Sequence, residues 1–173
     1  ASLNAHEVVE SAFDNCSLVD TLISTNTFAC ADRGTATIHV TAKDHVDSTT
    51  TKMAQVTIED TIPPVALCSD TTVYLNNNGK AAINHTFIDG GSYDNCTMDT
   101  LYLSQDAFNC SHLGQNEIGF YAVDRSGNMD SCFATVAVVD TASPTLIIQN
   151  ATVQLDESGR ASITPTDVIE SAE

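Results

Sequence analysis

The chain has 173 residues, with 23 Asp and Glu against 6 Lys and Arg, a formal net charge of −17, 42% apolar residues and six cysteines. So acidic a chain, with no basic cluster, repels phosphate backbones and anionic headgroups, which excludes nucleic-acid and lipid-surface partners. No run of about 18 apolar residues occurs, so no helical membrane insertion is expected in this segment, and the apolar share is too high for a disordered acidic tail.

An ungapped repeat of 80 residues organises the sequence. Asp14-Asn15-Cys16 returns as Asp94-Asn95-Cys96, Phe28-Ala29-Cys30 as Phe108-Asn109-Cys110, Asp44 as Asp124, and Asp60-Thr61 as Asp140-Thr141. The register continues into the tail, where Val73, Leu75, Gly79 and Ile83 match Val153, Leu155, Gly159 and Ile163. Residues 1–60 therefore read as an immunoglobulin-like repeat lacking its first strand, 61–140 as a complete repeat, and 141–173 as the first strands of a third. Both ends fall inside repeats, so the sequence is expected to be an excerpt of a much longer chain.

In chain order, residues 37–42 and 55–58 alternate apolar and polar side chains with period 2, as half-buried strands do. In the middle repeat the spacing predicts strand A at about 70–76, B at 80–88, C at 99–104, an irregular stapled stretch to about 113, and two last strands at 116–124 and 130–139. Asn76–Gly79, Asp89–Ser92 and Asp124–Asn128 supply the turns. No long segment carries a 3.6 period. The expected fold is all-β: tandem immunoglobulin-like β-sandwich repeats of about 80 residues forming a semi-rigid rod. The proline-stiffened linker 59–64 does not resemble a flexible tether.

Six cysteines allow 15 connectivities. Cys16 with Cys30, and Cys96 with Cys110, recur 14 residues apart, which favours a bridge inside each repeat. Cys68 and Cys132 remain as a third pair, joining the start of strand A to the start of the last strand at one pole. Its counterparts elsewhere are Lys52 and Ile148, so this pair is optional. Zinc is the rival reading, but there is no C-x-x-C and the five histidines are scattered. Disulfides belong outside the reducing cytosol.

The acidic residues concentrate at the expected joint. Glu59 and Asp60 in the linker, Asp89, Asp94 and Asn95 after strand B, and Asp124 and Asn128 before the last strand converge on the linker-proximal pole. Clustered carboxylate and amide oxygens are the ligands of Ca²⁺, and without a cation they repel. Asp14, Asp44 and Asp47 are the equivalents in the first repeat. The competing reading is that Asp, Asn and Gly simply form turns, with Asp124–Asn128 a metal-free hairpin loop. No nucleophile elbow, H-E-x-x-H or Gly-rich phosphate loop is present, and no histidine recurs between repeats. Neither an enzyme nor an organic cofactor is expected.

The order Asp60 to Pro64, Cys68, Gly79, Gly91 to Cys96, Leu103-Ser104, Phe108-Asn109-Cys110, Leu113-Gly114, Asp124 to Asn128 and Cys132 resembles the HYR-like, cysteine-bearing repeats of giant Bacteroidota cell-surface adhesins. The first repeat departs from that pattern at Lys52 and at Asp47-Ser48. The resemblance implies an extracellular, cell-surface filament exported by type IX secretion, of the gliding-motility adhesin type, which holds adhesive ends away from the cell. Its partners would be neighbouring repeats of the same chain, with surface polysaccharide or substratum met through other domains. It also implies O-glycosylation in Asp-Thr triplets, at Thr21, Thr61, Thr100 and Thr141. The rival readings are a calcium-dependent carbohydrate- or ligand-binding module and the non-catalytic spacer of a secreted hydrolase.

Overall fold

Period-2 alternation produces two long antiparallel hairpins, one per repeat. The computed structural model describes residues 1–172, apart from the side chains of Val19, Ser171 and Ala172. In the first repeat β1 (Leu18–Ile23), β2 (Gly34–Asp44) and β3 (Thr49–Ile58) form one sheet in that order. Gly34 stands opposite Ile58 and Lys43 opposite Thr49. In the middle repeat β4 (Thr71–Tyr74), β6 (Met98–Leu103), β8 (Gly114–Asp124) and β9 (Met129–Val139) make a sheet of order β4-β9-β8-β6, with β4 parallel to β9. Strands β5 (Lys80–Ala82) and β7 (Ala107–Asn109) pair separately, as do β10 (Leu146–Ile148) and β11 (Ile169–Ala172). The chain is all-β, a tandem of immunoglobulin-like sandwich repeats.

By contacts the chain divides into two compact units. One comprises Ala1–Ser69, Asn84–Gln105 and Ile118–Ala134; the other comprises Asp70–Ile83, Asp106–Glu117 and Thr135–Glu173. The first holds the whole of residues 1–60, the linker, β6, β8 from Ile118 and β9 as far as Ala134. The second holds β4, β5, β7, the remaining ends of β8 and β9, and the tail.

The buried faces follow the pleat. On β8, Ile118, Phe120 and Ala122 point inward, and on β9 Ala134, Val136 and Val138 do the same. The counterparts in residues 1–60 have the same polarity, yet only Ile38 is buried; Val40, Ala42, Ala54, Val56 and Ile58 are half-exposed. Among the described residues, the inward-facing positions of the first repeat are thus more exposed than their counterparts in the middle repeat.

Two elements differ from the sequence expectation. Strand B stops at Ala82 rather than reaching 88, because Asn84 caps a 3-10 turn at His85–Phe87, its Oδ1 accepting from the Thr86 N–H at 3.0 Å. The stretch before 113 holds β7 and a second 3-10 turn, Cys110–His112, capped by Asn109 through Ser111 N–H at 2.9 Å.

The disulfides also differ. Cys30 is bonded to Cys96 and Cys68 to Cys132, while Cys16 and Cys110 are free and exposed. The expected 16–30 and 96–110 bridges are therefore corrected. Cys16 precedes Leu18, which pairs with Asp44 at one end of β2, and Cys30 precedes Gly34 at the other end. An eleven-residue strand extends about 35 Å, far beyond the ~4.4–6.8 Å between Cα atoms that a bridge tolerates. Cys96 and Cys110 flank the two ends of β8 in the same way. The observed Cα separations are 5.4 Å for Cys30–Cys96 and 6.0 Å for Cys68–Cys132.

Two glycines give a comparison of backbone and packing costs. Gly127 (φ 88°) has open space where a Cβ would stand, whereas a Cβ on Gly79 (φ 66°) would meet Cys110 Sγ at 2.7 Å. Gly127→Ala is expected to cost ~1–2 kcal/mol from the left-handed backbone alone. Gly79→Ala should cost more in urea melts, with the excess disappearing in a Cys110→Ala background. Equal costs for the two would show that the Cys110 contact is immaterial.

Candidate metal centre

Asp124 ends β8 and is 2% exposed. Its Oδ1 accepts from the Ser126 and Asn128 N–H groups, both at 2.8 Å, and its Oδ2 from Asn128 Nδ2 at 2.7 Å. Asp94 closes an Asx turn, Oδ2 accepting from Cys96 N–H at 2.7 Å and Thr97 N–H at 2.8 Å. That geometry leaves Asp94 Oδ1 buried with no partner. Asp60 in the linker receives two long hydrogen bonds on Oδ1, from Asn95 Nδ2 and Ile62 N–H, each 3.3 Å, and its Oδ2 is likewise buried and unpartnered.

One oxygen from each of Asp60, Asp94 and Asp124 lies within 4.8 Å of the others, the one such trio among the described residues. Three carboxylates so close repel one another, and two of them have an orphaned oxygen out of water, an arrangement that is costly unless something binds there. The donor set is entirely hard oxygen, which suits Ca²⁺ and not a thiolate- or imidazole-seeking metal. Water or backbone carbonyls would complete the six to eight ligands such an ion takes.

Of the residues expected from the sequence, the structure brings these three together. Glu59 is exposed and stands outside the trio, and Asp89 accepts from Gly91 N–H (3.0 Å) and Ser92 N–H (2.8 Å), organising its own turn. Asn128 points its amide N–H groups at Asp124 and at the carbonyl of Asp60 (2.9 Å), so it ties the linker to the hairpin instead of offering an oxygen. Asn95 likewise turns its amide N–H toward Asp60 Oδ1, at 3.3 Å, so it orients the linker carboxylate. In the first repeat Asp14 and Asp44 form the same local turns, on Cys16 N–H at 2.8 Å and on Val46 and Ser48 N–H at 2.9 Å. Asp47 pairs with Lys43 Nζ at 2.6 Å.

The first repeat is fastened directly at this place. The Cys30–Cys96 bridge lands two residues after Asp94, and Arg33 Nη1 donates to Ser126 Oγ at 2.8 Å in the loop that follows Asp124. Thr61 is exposed beside Asp60, and Thr141 occupies the same exposed position one repeat on; Thr100 is exposed on β6 and Thr21 half-buried on β1.

Burial acts to raise the pKa of Asp124, but hydrogen bonds from the Asn128 side chain and from the Asn128, Ser126 and Gly127 backbone outweigh it and hold the carboxyl below its usual 3.8. Asp89 is lowered too, burial being outweighed by Ser92 and Gly91. A depressed native pKa contributes stability above the unfolded value and loses it as pH falls through the native one. Thermal melts are therefore expected to hold their midpoint from neutrality down to about pH 4 and to fall progressively below it. A midpoint that does not change between pH 4 and 2 would show these turns contribute nothing.

No family model matches the sequence, and no curated protein matches it. Similar solved structures include the protocadherin gamma B7 extracellular cadherin domains 1–4, at 15% identity and TM-score 0.38, covering 84% of this chain and 48% of that one. The protocadherin gamma B4 extracellular domain matches at 16% identity and TM-score 0.38, covering 81% of this chain and 29% of that one. The chain spans less than half the length of either. No helix among the described residues is long and apolar enough to cross a membrane.

Proposed function

We propose that the chain is a stretch of structural stalk repeats from a long extracellular surface adhesin or filament, with residues 1–60, 61–140 and 141–173 as successive segments that hold adhesive ends away from a cell. The observation that carries this reading is the Cys30–Cys96 bond, a covalent tie between one 80-residue period and the next. A flexible string of binding domains has no use for such a tie, whereas a stalk needs stiff joints. Ca²⁺ held by Asp60, Asp94 and Asp124 would add a second brace at the same joint, with Asn95 and Asn128 fixing the loops around it. Two disulfides fit an oxidising, extracellular setting. Export by type IX secretion, a part in gliding motility and contact with polysaccharide through other domains follow from the family resemblance alone. O-glycans on Thr61 and Thr141, and on Thr21 and Thr100, belong to the same reading. Intact-mass measurement on native protein, expected to exceed the polypeptide mass, tests them, and an unmodified mass rejects them.

The calcium brace is tested by melting the chain with Ca²⁺ and with EDTA. A rise of several degrees with Ca²⁺ that is lost in Asp94→Asn is expected; superimposable curves would reject the ion. The stalk reading is tested by small-angle scattering of the oxidised chain, where EDTA and reductant together should broaden the distance distribution. If the untreated chain already scatters as freely hinged domains, the stiff joint is wrong.

A further inference from the structure

The Cys30–Cys96 bond and the acidic trio share one loop. Its two ends are held by backbone pairing: Tyr93 exchanges hydrogen bonds with Val65 (2.8 and 3.2 Å), and Met98 stands opposite Asp124. Between those ends lie Asp94, whose carboxylate belongs to the trio, and Asn95, whose amide reaches Asp60 at 3.3 Å. Cys96 follows, and its N–H donates to Asp94 Oδ2 at 2.7 Å. Among the described residues, the other ties from 94–97 to the rest of the chain are long, Asn95 to Asp60 and Arg125 N–H to the Thr97 carbonyl, both 3.3 Å. The covalent bond to Cys30 is therefore the firm hold on the segment that presents Asp94.

With no cation, repulsion within the trio pushes Asp94 away from Asp60 and Asp124, and the bond opposes that movement. Cutting the bond releases 94–97 while Asp124 stays placed. Arg33 Nη1 still donates to Ser126 Oγ, and Ser126 N–H to Asp124 Oδ1, each at 2.8 Å. Cleavage thus separates one ligand from the other two. A divalent cation acts in the opposite sense, because it replaces repulsion by attraction and supplies the partner that the buried Asp60 Oδ2 and Asp94 Oδ1 lack. Bond and ion draw the same carboxylate to the same place.

We infer that the Cys30–Cys96 bond and Ca²⁺ at Asp60, Asp94 and Asp124 are coupled, so that the bond sets the affinity of the site and the ion protects the bond from reduction. This rests on the calcium reading proposed above. Linkage makes the two effects one quantity: the factor by which the bond tightens Ca²⁺ binding is the factor by which Ca²⁺ shifts the thiol–disulfide equilibrium, roughly 5–150-fold for couplings of this kind. The reductant is a dithiol. Its first thiolate attacks one sulfur of the bond, its second displaces the mixed disulfide, and it leaves as a cyclic disulfide with two protons and two electrons passed to Cys30 and Cys96. The Cys68–Cys132 bond joins the neighbour of Ser69 to β9 and includes no residue of the 94–97 loop, so it gains no such protection. The joint is then firmest where the medium is both oxidising and rich in Ca²⁺, and loss of either loosens the hold of the other.

The test uses the whole chain carrying Cys16→Ser and Cys110→Ser, so that no free thiol exchanges with the bonds. It is brought to equilibrium at neutral pH in graded ratios of reduced to oxidised dithiothreitol, with CaCl₂ or with EDTA, then alkylated and peptide-mapped so that both bonds are read in one sample. Ca²⁺ is expected to raise the ratio that half-reduces Cys30–Cys96 on the order of tenfold, about 30 mV, and to leave Cys68–Cys132 unmoved. Asp94→Asn, which keeps the Asx turn and removes the charge, should abolish the shift. In equilibrium dialysis against CaCl₂, Cys30→Ser with Cys96→Ser should bind more weakly by the same factor. An equal shift of both bonds would mean that the ion stabilises the fold as a whole, and overturns the inference. Equal Ca²⁺ affinity of the oxidised and double-serine chains overturns it too, leaving the ion in place without the coupling. No Ca²⁺ uptake by the oxidised chain removes the calcium reading and the inference together.

Discussion

Replacing Cys30 and Cys96 together by serine is expected to lower the unfolding free energy by about 4 kcal/mol, from the loop-closure entropy of a 66-residue separation. In a chain of this size that corresponds to a fall on the order of 10 °C in melting midpoint. Strand content should be retained, because neither residue lies within a strand of the sheets. The control is Cys16→Ser with Cys110→Ser, two exposed and unbonded thiols, whose effect should be within about 0.5 kcal/mol. If the two double variants melt alike, the bond does not brace the joint, and the stalk reading loses the observation that carries it.

Phe120→Ala is expected to be equally severe, ~3–5 kcal/mol, since Phe120 on β8 is fully buried and its removal leaves a large cavity. The counterpart in the first repeat is Val40, half-exposed on the wall of an open groove. Val40→Ala should cost below ~1.5 kcal/mol, because its side chain has little surrounding structure to lose. The contrast reports on cover and not on sequence, as the two positions occupy the same place in the same strand. Denaturant melts of the two variants check it, and a Val40→Ala cost matching that of Phe120→Ala would mean the first repeat is closed in solution.

The strands were legible because a pleated strand buries alternate residues, as 120–124 and 134–138 do. Asn84 and Asn109 were harder: each ends an apolar-looking run by capping a 3-10 turn, and a side chain that caps reads in sequence much like one that merely ends a strand. The cysteine pairing was not legible at all from recurrence. Spacings of 14 within a repeat and 66 between repeats both close on the same period of 80, so every bond within a repeat has a cross-repeat alternative that recurs identically. Only the length of β2 and β8, which sets Cys16 and Cys110 at the opposite ends from Cys30 and Cys96, decides between them. The acidic trio was legible as a composition of loops, but Glu59 and Asp89 resemble ligands equally well in sequence. What separates them is where backbone N–H groups lie: Asp89 has them within reach, whereas Asp60 and Asp94 each keep a buried oxygen without a donor.

The two bridges interlock, since Cys68 lies between Cys30 and Cys96, and Cys96 between Cys68 and Cys132. Tension applied along the chain from Cys30 to Cys132 therefore has two parallel routes. One crosses the first bond and follows 36 residues from Cys96; the other follows 38 residues to Cys68 and crosses the second bond. The routes are nearly equal in length, so even after the sandwich is torn open neither sulfur pair bears the load alone. The 102-residue span can pay out little more than a third of its contour, and roughly 220 Å of chain stays out of reach until a bond is reduced. In single-molecule stretching this stretch would behave as a strap with a built-in stop, and reductant would release the stop.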